Sequence, residues 1–554
     1  MPMLFRFLFS LLLAFGVAAQ TPVADKAFTV EFGADGVDGS LRARFSREGA
    51  GLVWLQAKDH YVTVAAKQKA EHGPGDWLLL TANGQDHALR LANTSPVALP
   101  VDPAMALWNA ETTADSVRFW LPLGNGLVLE KVLRHDAKNR GFQLELAVKN
   151  ESGDAGQPLS LQLLGPVPAE TAGGFFSTAH AIAAPREGDS KFTSPASGAS
   201  ALEVDPRQLS FAGSTSRFFA AFLAPKDDAA RSVLTRFDVD PMPLQEDGDS
   251  GTHARASTRV RFGLSLPVPA PGQETRVAFD YYFGPKSYRV FDTLSDPLRY
   301  QPILDVDLNS PCCGIDVPGG RPMAKLLLWL LGIFHDFLGN WGLAIITLTI
   351  LVRGLLAPLN FRMQKQMRGY SARMAKLKPK LDELKTRFAD DKAGYQQAMI
   401  QFQREHKLIP PIGGCLPIFL TMPVYIGLFT ALRTAYDLRQ QPFVSWINDL
   451  SIADHLLTLP FWPGALNLLP LLWIGLMVWM TFRQPLPTDP QQRSTMQIMR
   501  FMPLMFGVML YQYASGLTVY MVTSVLWSLV ESTITKKVLG PIDPNVAAMT
   551  PTPI

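Results

Sequence analysis

Arg353 is the only charged residue in an apolar run from Trp341 to Pro358. A guanidinium cannot shed its proton to escape a hydrocarbon environment, so its chemistry is the attraction of anionic groups rather than bond making or breaking. Polar residues accompany it. Thr347 and Thr349 lie on the same run, Gln512 on a later one, and Thr518, Thr523, Ser524, Ser528, Glu531, Ser532 and Thr533 on the last. Singly, such hydroxyls bond their own helix; together they indicate that one side of a helical bundle is wet. Glu531 is the candidate counter-charge for Arg353. Bond chemistry has little support: no histidine falls in any apolar run after residue 340, and Ser515-Gly516 has no partner base.

The elements that must position Arg353 follow from length. Eighteen residues make a helix of about 27 Å, close to the ~30 Å of a bilayer core. A charge at the centre of a lone helix there costs roughly 2.5–3.5 kcal/mol on insertion scales, so it is expected to face protein or water. Further spans are expected at about 414–434, 464–482, 498–513 and 517–535, with an interfacial amphipathic helix at 321–340 anchored by Trp329 and Trp341.

Loop charge sets the orientation. Between Asn360 and Pro411 twelve basic residues oppose five acidic ones, a balance of +7; between Tyr436 and Pro463 one arginine opposes three aspartates, −2. The first loop is therefore expected inside and the second outside, with the C-terminus inside. Met374, Leu377, Leu381, Leu384 and Phe388 form a helical stripe, and Asp390 and Asp391 are placed to cap a second helix carrying Tyr395, Ala398, Met399 and Phe402. The loop 360–411 thus reads as a helical hairpin. Its basic residues Arg373, Lys376, Lys378, Lys380, Lys385 and Arg387 are candidates for recruiting anionic lipid, a ribosome or a nascent chain, or for a merely solvated surface.

The 554 residues divide in character near residue 320. Residues 21–310 alternate with period two, as in Val117-Arg-Phe-Trp-Leu121 and Phe142-Gln-Leu-Glu-Leu-Ala-Val148, and predict an exported all-β sandwich of more than ten strands. Residues 1–20 read as a signal peptide cleaved after Ala19, or a short signal anchor. Residues 541–554 read as a flexible tail. A net charge of +3 argues against a nucleic-acid binder, and Cys312, Cys313 and Cys415 have no metal-site or disulfide spacing. No cofactor is implied. The predicted fold class is an α-helical membrane bundle of five transmembrane helices with an interfacial helix and a cytoplasmic hairpin, following the exported sandwich.

Several ordered motifs then carry a resemblance. Asn340-Trp-Gly, Val352-Arg-Gly, Lys378-Pro-Lys and Gly413-Gly-Cys-Leu-Pro417 come first, followed by Met422-Pro, Leu438-Arg-Gln-Gln-Pro-Phe443 and Trp446-Ile-Asn-Asp-Leu450. Thr488-Asp-Pro-Gln-Gln492, Phe501-Met-Pro, Ser515-Gly-Leu and Tyr282-Phe-Gly-Pro-Lys-Ser-Tyr288 complete the series. In this order and spacing the chain resembles the YidC membrane-protein insertases of bacteria with an outer membrane. The resemblance implies a hydrophilic groove, open to the cytoplasm and lipid and closed outward, with Arg353 at its centre and Tyr520 and Met521 contacting clients. Methionine stands at 521 where an aromatic is frequent in the family. The implied partners are nascent membrane-protein clients and the Sec translocon, in the bacterial inner membrane, with no DNA and no enzymatic step. The alternatives are an anion transporter or channel using Arg353, against which an odd number of spans without an inverted repeat argues, and a sugar-active enzyme in residues 21–300.

Overall fold

The computed structural model describes residues 21–82, 87–95, 99–153, 156–168, 180–193, 200–243, 256–296, 298–309, 320–388, 392–405, 416–458, 464–483 and 490–540. The signal segment, the tail, the three cysteines, Asp390, Asp391 and, wholly or partly, the Gly413–Pro417 and Thr488–Gln492 motifs lie outside them. Two compact units divide between Asp307 and Leu308.

In the first unit alternating side chains generate layers. Along Ser116–Pro122 the residues Val117, Phe119 and Leu121 are buried, while Arg118 and Trp120 alternate on the other face. That strand belongs to a ten-stranded sheet with Leu127–Asp136, Gly141–Asn150, Glu274–Pro285 and Phe219–Pro225 at its centre, all paired antiparallel. Two four-stranded sheets accompany it. One comprises Ala27–Phe32, Leu41–Ser46, Gly51–Tyr61 and Trp77–Ala82; the other comprises Leu234–Pro243, Ala256–Leu266, Leu159–Leu164 and Leu91–Asn93. Phe28 and Phe45 meet Phe119, and Phe32 meets Phe142 edge-on at 5.4 Å, joining the first of these to the long sheet.

One inward position breaks the apolar pattern. Lys131 is fully buried between Leu129 and Leu133, and its ammonium donates to the carbonyls of Ala50 and Leu89. Burial pushes the amine down from its ordinary 10.5 to about 7. The unfolded chain keeps that proton to higher pH than the folded chain does, so stability rises as pH climbs from 7 toward 10.5. The denaturation midpoint of the β unit, followed by tryptophan fluorescence in the full chain, is expected to rise between pH 7 and 9. Lys131→Met should flatten that slope. A wild-type midpoint that is level across the interval contradicts the assignment.

The second unit is helical: α1 (Gly320–Leu338), α2 (Trp341–Arg387), α3 (Lys392–Glu405), α4 (Leu416–Thr434), α5 (Leu468–Phe482), α6 (Pro490–Met509) and α7 (Ser515–Leu539). Helix α1 buries Ala324, Leu327 and Leu331 against α2 and α4, and leaves Trp329, Ile333 and Phe337 exposed on its other side. Close approach to α4 depends on Gly427, where a Cβ would stand 3.1 Å from the Ala324 nitrogen. Helix α7 packs along α2 and α5, and α5 along α6.

Two features differ from expectation. The first span was expected to end at residue 359, yet α2 runs on for 47 residues through Pro358 and Pro379 to Arg387. Each proline forfeits one main-chain hydrogen bond and bends the helix without ending it, because the flanking turns remain bonded. The second concerns length. Where five spans were expected, two segments among the described residues, Trp341–Gln366 and Ser515–Leu539, are long and apolar enough to cross a membrane. Helix α5 has 15 residues, about 22 Å, and the apolar part of α6, Arg500–Met509, is shorter still.

Candidate functional site

Helical spacing assembles the site around Arg353. On α2 the residues Thr349, Arg353 and Asn360 recur at four and seven, one side of the helix. On α7 the residues Tyr520, Ser524, Trp527 and Glu531 recur at four, three and four. These two faces meet where the Trp527 ring lies 3.8 Å from the position a Cβ of Gly354 would take. Helix α4 contributes Tyr425, whose ring centroid is 4.9 Å from the Arg353 guanidinium carbon. Such a cation–π contact is worth about 0.5–2 kcal/mol, more as water is excluded.

The cluster is left electrostatically unfinished. Arg353 is half-buried, its Nε is buried without a hydrogen-bond partner, and among the described residues no carboxylate comes within ion-pair distance of it. Glu531 lies on the same side of the bundle, near enough for its charge to act on Arg353, but beside Asn360 rather than in a salt bridge. Its Oε1 is also buried and unpartnered, as is the Ser524 hydroxyl. Partly satisfied buried polar groups are costly in a resting bundle. They are suited to receiving something polar.

The other hydroxyls behave as ordinary helix side chains. Thr349 donates to the Ile345 carbonyl at 2.7 Å, Thr518 to Ala514 at 3.2 Å, Thr523 to Val519 at 2.8 Å, Ser528 to Ser524 at 2.9 Å and Thr533 to Leu529 at 2.8 Å. Thr349 is in addition closed inside the bundle, whereas Thr347 and Thr523 are half-buried. Tyr520 is buried beside Ser524. Gln512 is not in a span: α6 ends at Met509, and Gln512 is exposed in the connection to α7. Met521 turns toward α5 and α6, next to Trp473 and Met477. In the hairpin Lys376, Lys380 and Arg387 are exposed, while the side chains of Arg373, Lys378 and Lys385 lie outside the described set.

Residues 438–455 seal one end of the bundle. The first N–H groups of a helix have no partner within it. Here the loop supplies them: Ser515 N–H donates to the Ile452 carbonyl at 2.6 Å and Gly516 N–H to Leu450 at 2.8 Å, while the Ser515 hydroxyl donates to Asp449 at 2.8 Å. Asp454 accepts from the Leu468 and Leu469 N–H groups at 2.8 and 2.9 Å, capping α5, and from Trp446 Nε1 at 3.0 Å. At α2, Asn340 caps Leu343 at 3.1 Å, and Gly342 gives room for the Phe443 ring, which a Cβ would meet at 2.0 Å. Leu438 and Leu450 are wholly buried beneath. One loop thus ties the N-termini of α2, α5 and α7, and no comparable cover lies over Arg353, three turns farther along α2.

The fold and site define a class of protein: a β-sheet unit joined to a helical unit of membrane-spanning character, with an incompletely paired arginine between helices. Comparison with known proteins agrees. The family model described as 60Kd inner membrane protein matches residues 333–541, and that of the YidC periplasmic domain matches residues 37–303. A protein named membrane protein insertase YidC from Neisseria gonorrhoeae is 36% identical over 270 residues, covering 48% of this chain and 44% of that protein. One of the same name from Shewanella sp. (strain ANA-3) is 37% identical over 273 residues, 49% of this chain and 45% of its own. The aligned part thus spans less than half the length of these relatives. With both family models matched in order, the chain belongs to the YidC family.

Proposed function

We propose that this chain is a membrane-protein insertase and chaperone of the bacterial inner membrane, working by binding and release. The observation that carries the reading is the unfinished Arg353 cluster lying below a sealed end. A half-buried cation partway across the membrane attracts acidic residues and shortens the apolar path that a client's polar segment must cross. The loop 438–455 stops that segment from opening a leak. The client's apolar helix passes into lipid, and its burial there drives the step without a nucleotide.

In this reading α2, α4, α5, α6 and α7 form the five spans, with the β unit and the sealed loop outside and the hairpin and C-terminus in the cytoplasm. The long sheet and its two shorter companions make the exported sandwich, and the exposed apolar side of α1 lies in the outer interface. Helices α5 and α6 are too short for an undeformed bilayer, so the adjacent lipid thins or the helices adjust, which lowers the barrier beside the groove. The groove residues are Arg353, Thr347, Thr349, Tyr520, Thr523 and Ser524, joined by Tyr425, Asn360 and Trp527, with Glu531 as a remote counter-charge. Gln512 and Met521 fall outside this cluster. Nascent clients, the Sec translocon and, through Arg373, Lys376, Lys378, Lys380, Lys385 and Arg387, ribosomes or anionic lipid are the partners. A sealed outer end is unfavourable to an anion channel.

Photo-crosslinking tests the placement. A photoreactive residue in place of Tyr425 is expected to capture a ribosome-stalled client through its polar tail, whereas one in place of Gln512 should not. Capture at 512 alone refutes the groove as drawn.

A further inference from the structure

A second concavity lies against a different face of α7. It measures about 530 Å³ and is enclosed by α5, α6 and α7, with Trp473, Met477, Met502, Phe506 and Met521 forming apolar walls. Its polar atoms gather at one end. There Thr481 is already bonded to the Met477 and Val478 carbonyls of its own helix at 3.0 and 2.9 Å. Arg500 is the only charged residue in the lining.

Arg500 marks the C-terminal end of α5. Its guanidinium carbon stands 5.1 Å from the Phe482 ring centroid, and Phe482 in turn meets Phe501 at 6.4 Å. Arg483, the residue after α5, stacks at 4.6 Å from the Trp479 ring. Two cations therefore flank the mouth of an apolar slot at a helix C-terminus. The same end is opposite the loop that ties the N-termini of α5 and α7.

We propose that this cavity is a binding site for an anionic phospholipid, one acyl chain lying along the methionine-lined wall and the phosphate on Arg500. The proposal rests on the reading that α5 and α6 cross the membrane. The dimensions exclude a client helix, because a helix with its side chains is about 10–12 Å across and several turns of it would overfill the space. Flexible thioethers adapt to a chain of varied kinking, and a guanidinium matches a phosphate by paired hydrogen bonds. The doubled positive charge, with no carboxylate in the lining, favours a headgroup of net negative charge over a zwitterionic one. A lipid seated here would fix the inner leaflet against two helices shorter than the bilayer.

The test uses the full chain in phosphatidylcholine vesicles containing a trace of phosphatidylglycerol with a photoreactive group on one acyl chain. Cross-links are expected in α5 and α6 near Met477 and Phe506. The matched phosphatidylcholine probe should label them far less. Arg500→Gln should lower labelling about tenfold, as for loss of one charge-assisted hydrogen bond. Met477→Trp, or Met477→Phe where the larger ring does not fold, should lower it by filling the slot. Arg353→Ala should leave it intact even as client insertion falls, so the two proposals fail separately. Equal labelling by both probes, or labelling unchanged by Arg500→Gln and by the filling variant, overturns the site.

Discussion

Arg353→Ala is expected to lower insertion of clients with acidic polar tails by roughly tenfold to a hundredfold, the equivalent of about 1.4–3 kcal/mol for one charge-assisted contact. The guanidinium is the only cation in its apolar run, and no described carboxylate neutralises it at rest. Its charge is thus available to a client. Arg353→Lys should retain part of the activity, because a positive charge survives while the planar stacking on Tyr425, at 4.9 Å, is lost. Tyr425→Leu should give a smaller loss, since it removes a support for the arginine and not the charge. Depletion of the native protein, with each variant supplied in its place and several clients scored, reads these differences. Full activity of the alanine variant on every client would leave the charge without a role.

Asp454→Ala is expected to open and destabilise the outer end. One buried carboxylate oxygen accepts three hydrogen bonds, two from the start of α5 and one from Trp446. Alanine would strand all three donors and remove a negative charge from a helix N-terminus, a loss on the order of 3 kcal/mol. Asp454→Asn keeps an oxygen acceptor and should cost less. Thermal unfolding of the purified full chain checks the first effect. For the second, a cysteine at Thr518, in a chain whose Cys312, Cys313 and Cys415 have been replaced, should become reactive to an impermeant thiol reagent only in the alanine background. Unchanged stability and unchanged protection together would mean that the loop does not seal the bundle through Asp454.

The amino-acid sequence disclosed Arg353 because a lone charge in an apolar run is energetically conspicuous. It concealed Tyr425, which in an apolar span has the same appearance as any packing residue until α4 is seen against α2. Asn360 was within reach, lying two turns beyond Arg353 on the same helical face. Met521 shows the opposite case. It follows Tyr520 directly, yet neighbours on a helix point about 100° apart, so the two cannot share a groove wall. Gln512 was placed on a span by the apolar run around it, which does not record that α6 ends at Met509. The motifs at 438–443 and 446–450 were legible as motifs, but their work lies in main-chain hydrogen bonds to three helix ends, which side-chain patterns do not encode. In the β unit, alternation revealed the strands. Their distribution into one ten-stranded and two four-stranded sheets depends on long-range pairing such as that of Gly141–Asn150 with Glu274–Pro285.

Reconstitution tests the central claim most directly. The purified full chain in sealed vesicles, with no translocon and no nucleotide, is presented with a short single-span client bearing an acidic tail, and protection of that tail from external protease is measured. The expected result is protection that depends on Arg353, reduced by Arg353→Ala and partly restored by Arg353→Lys, without accompanying anion flux. Anion flux through the wild-type chain with no protection of the client would contradict it.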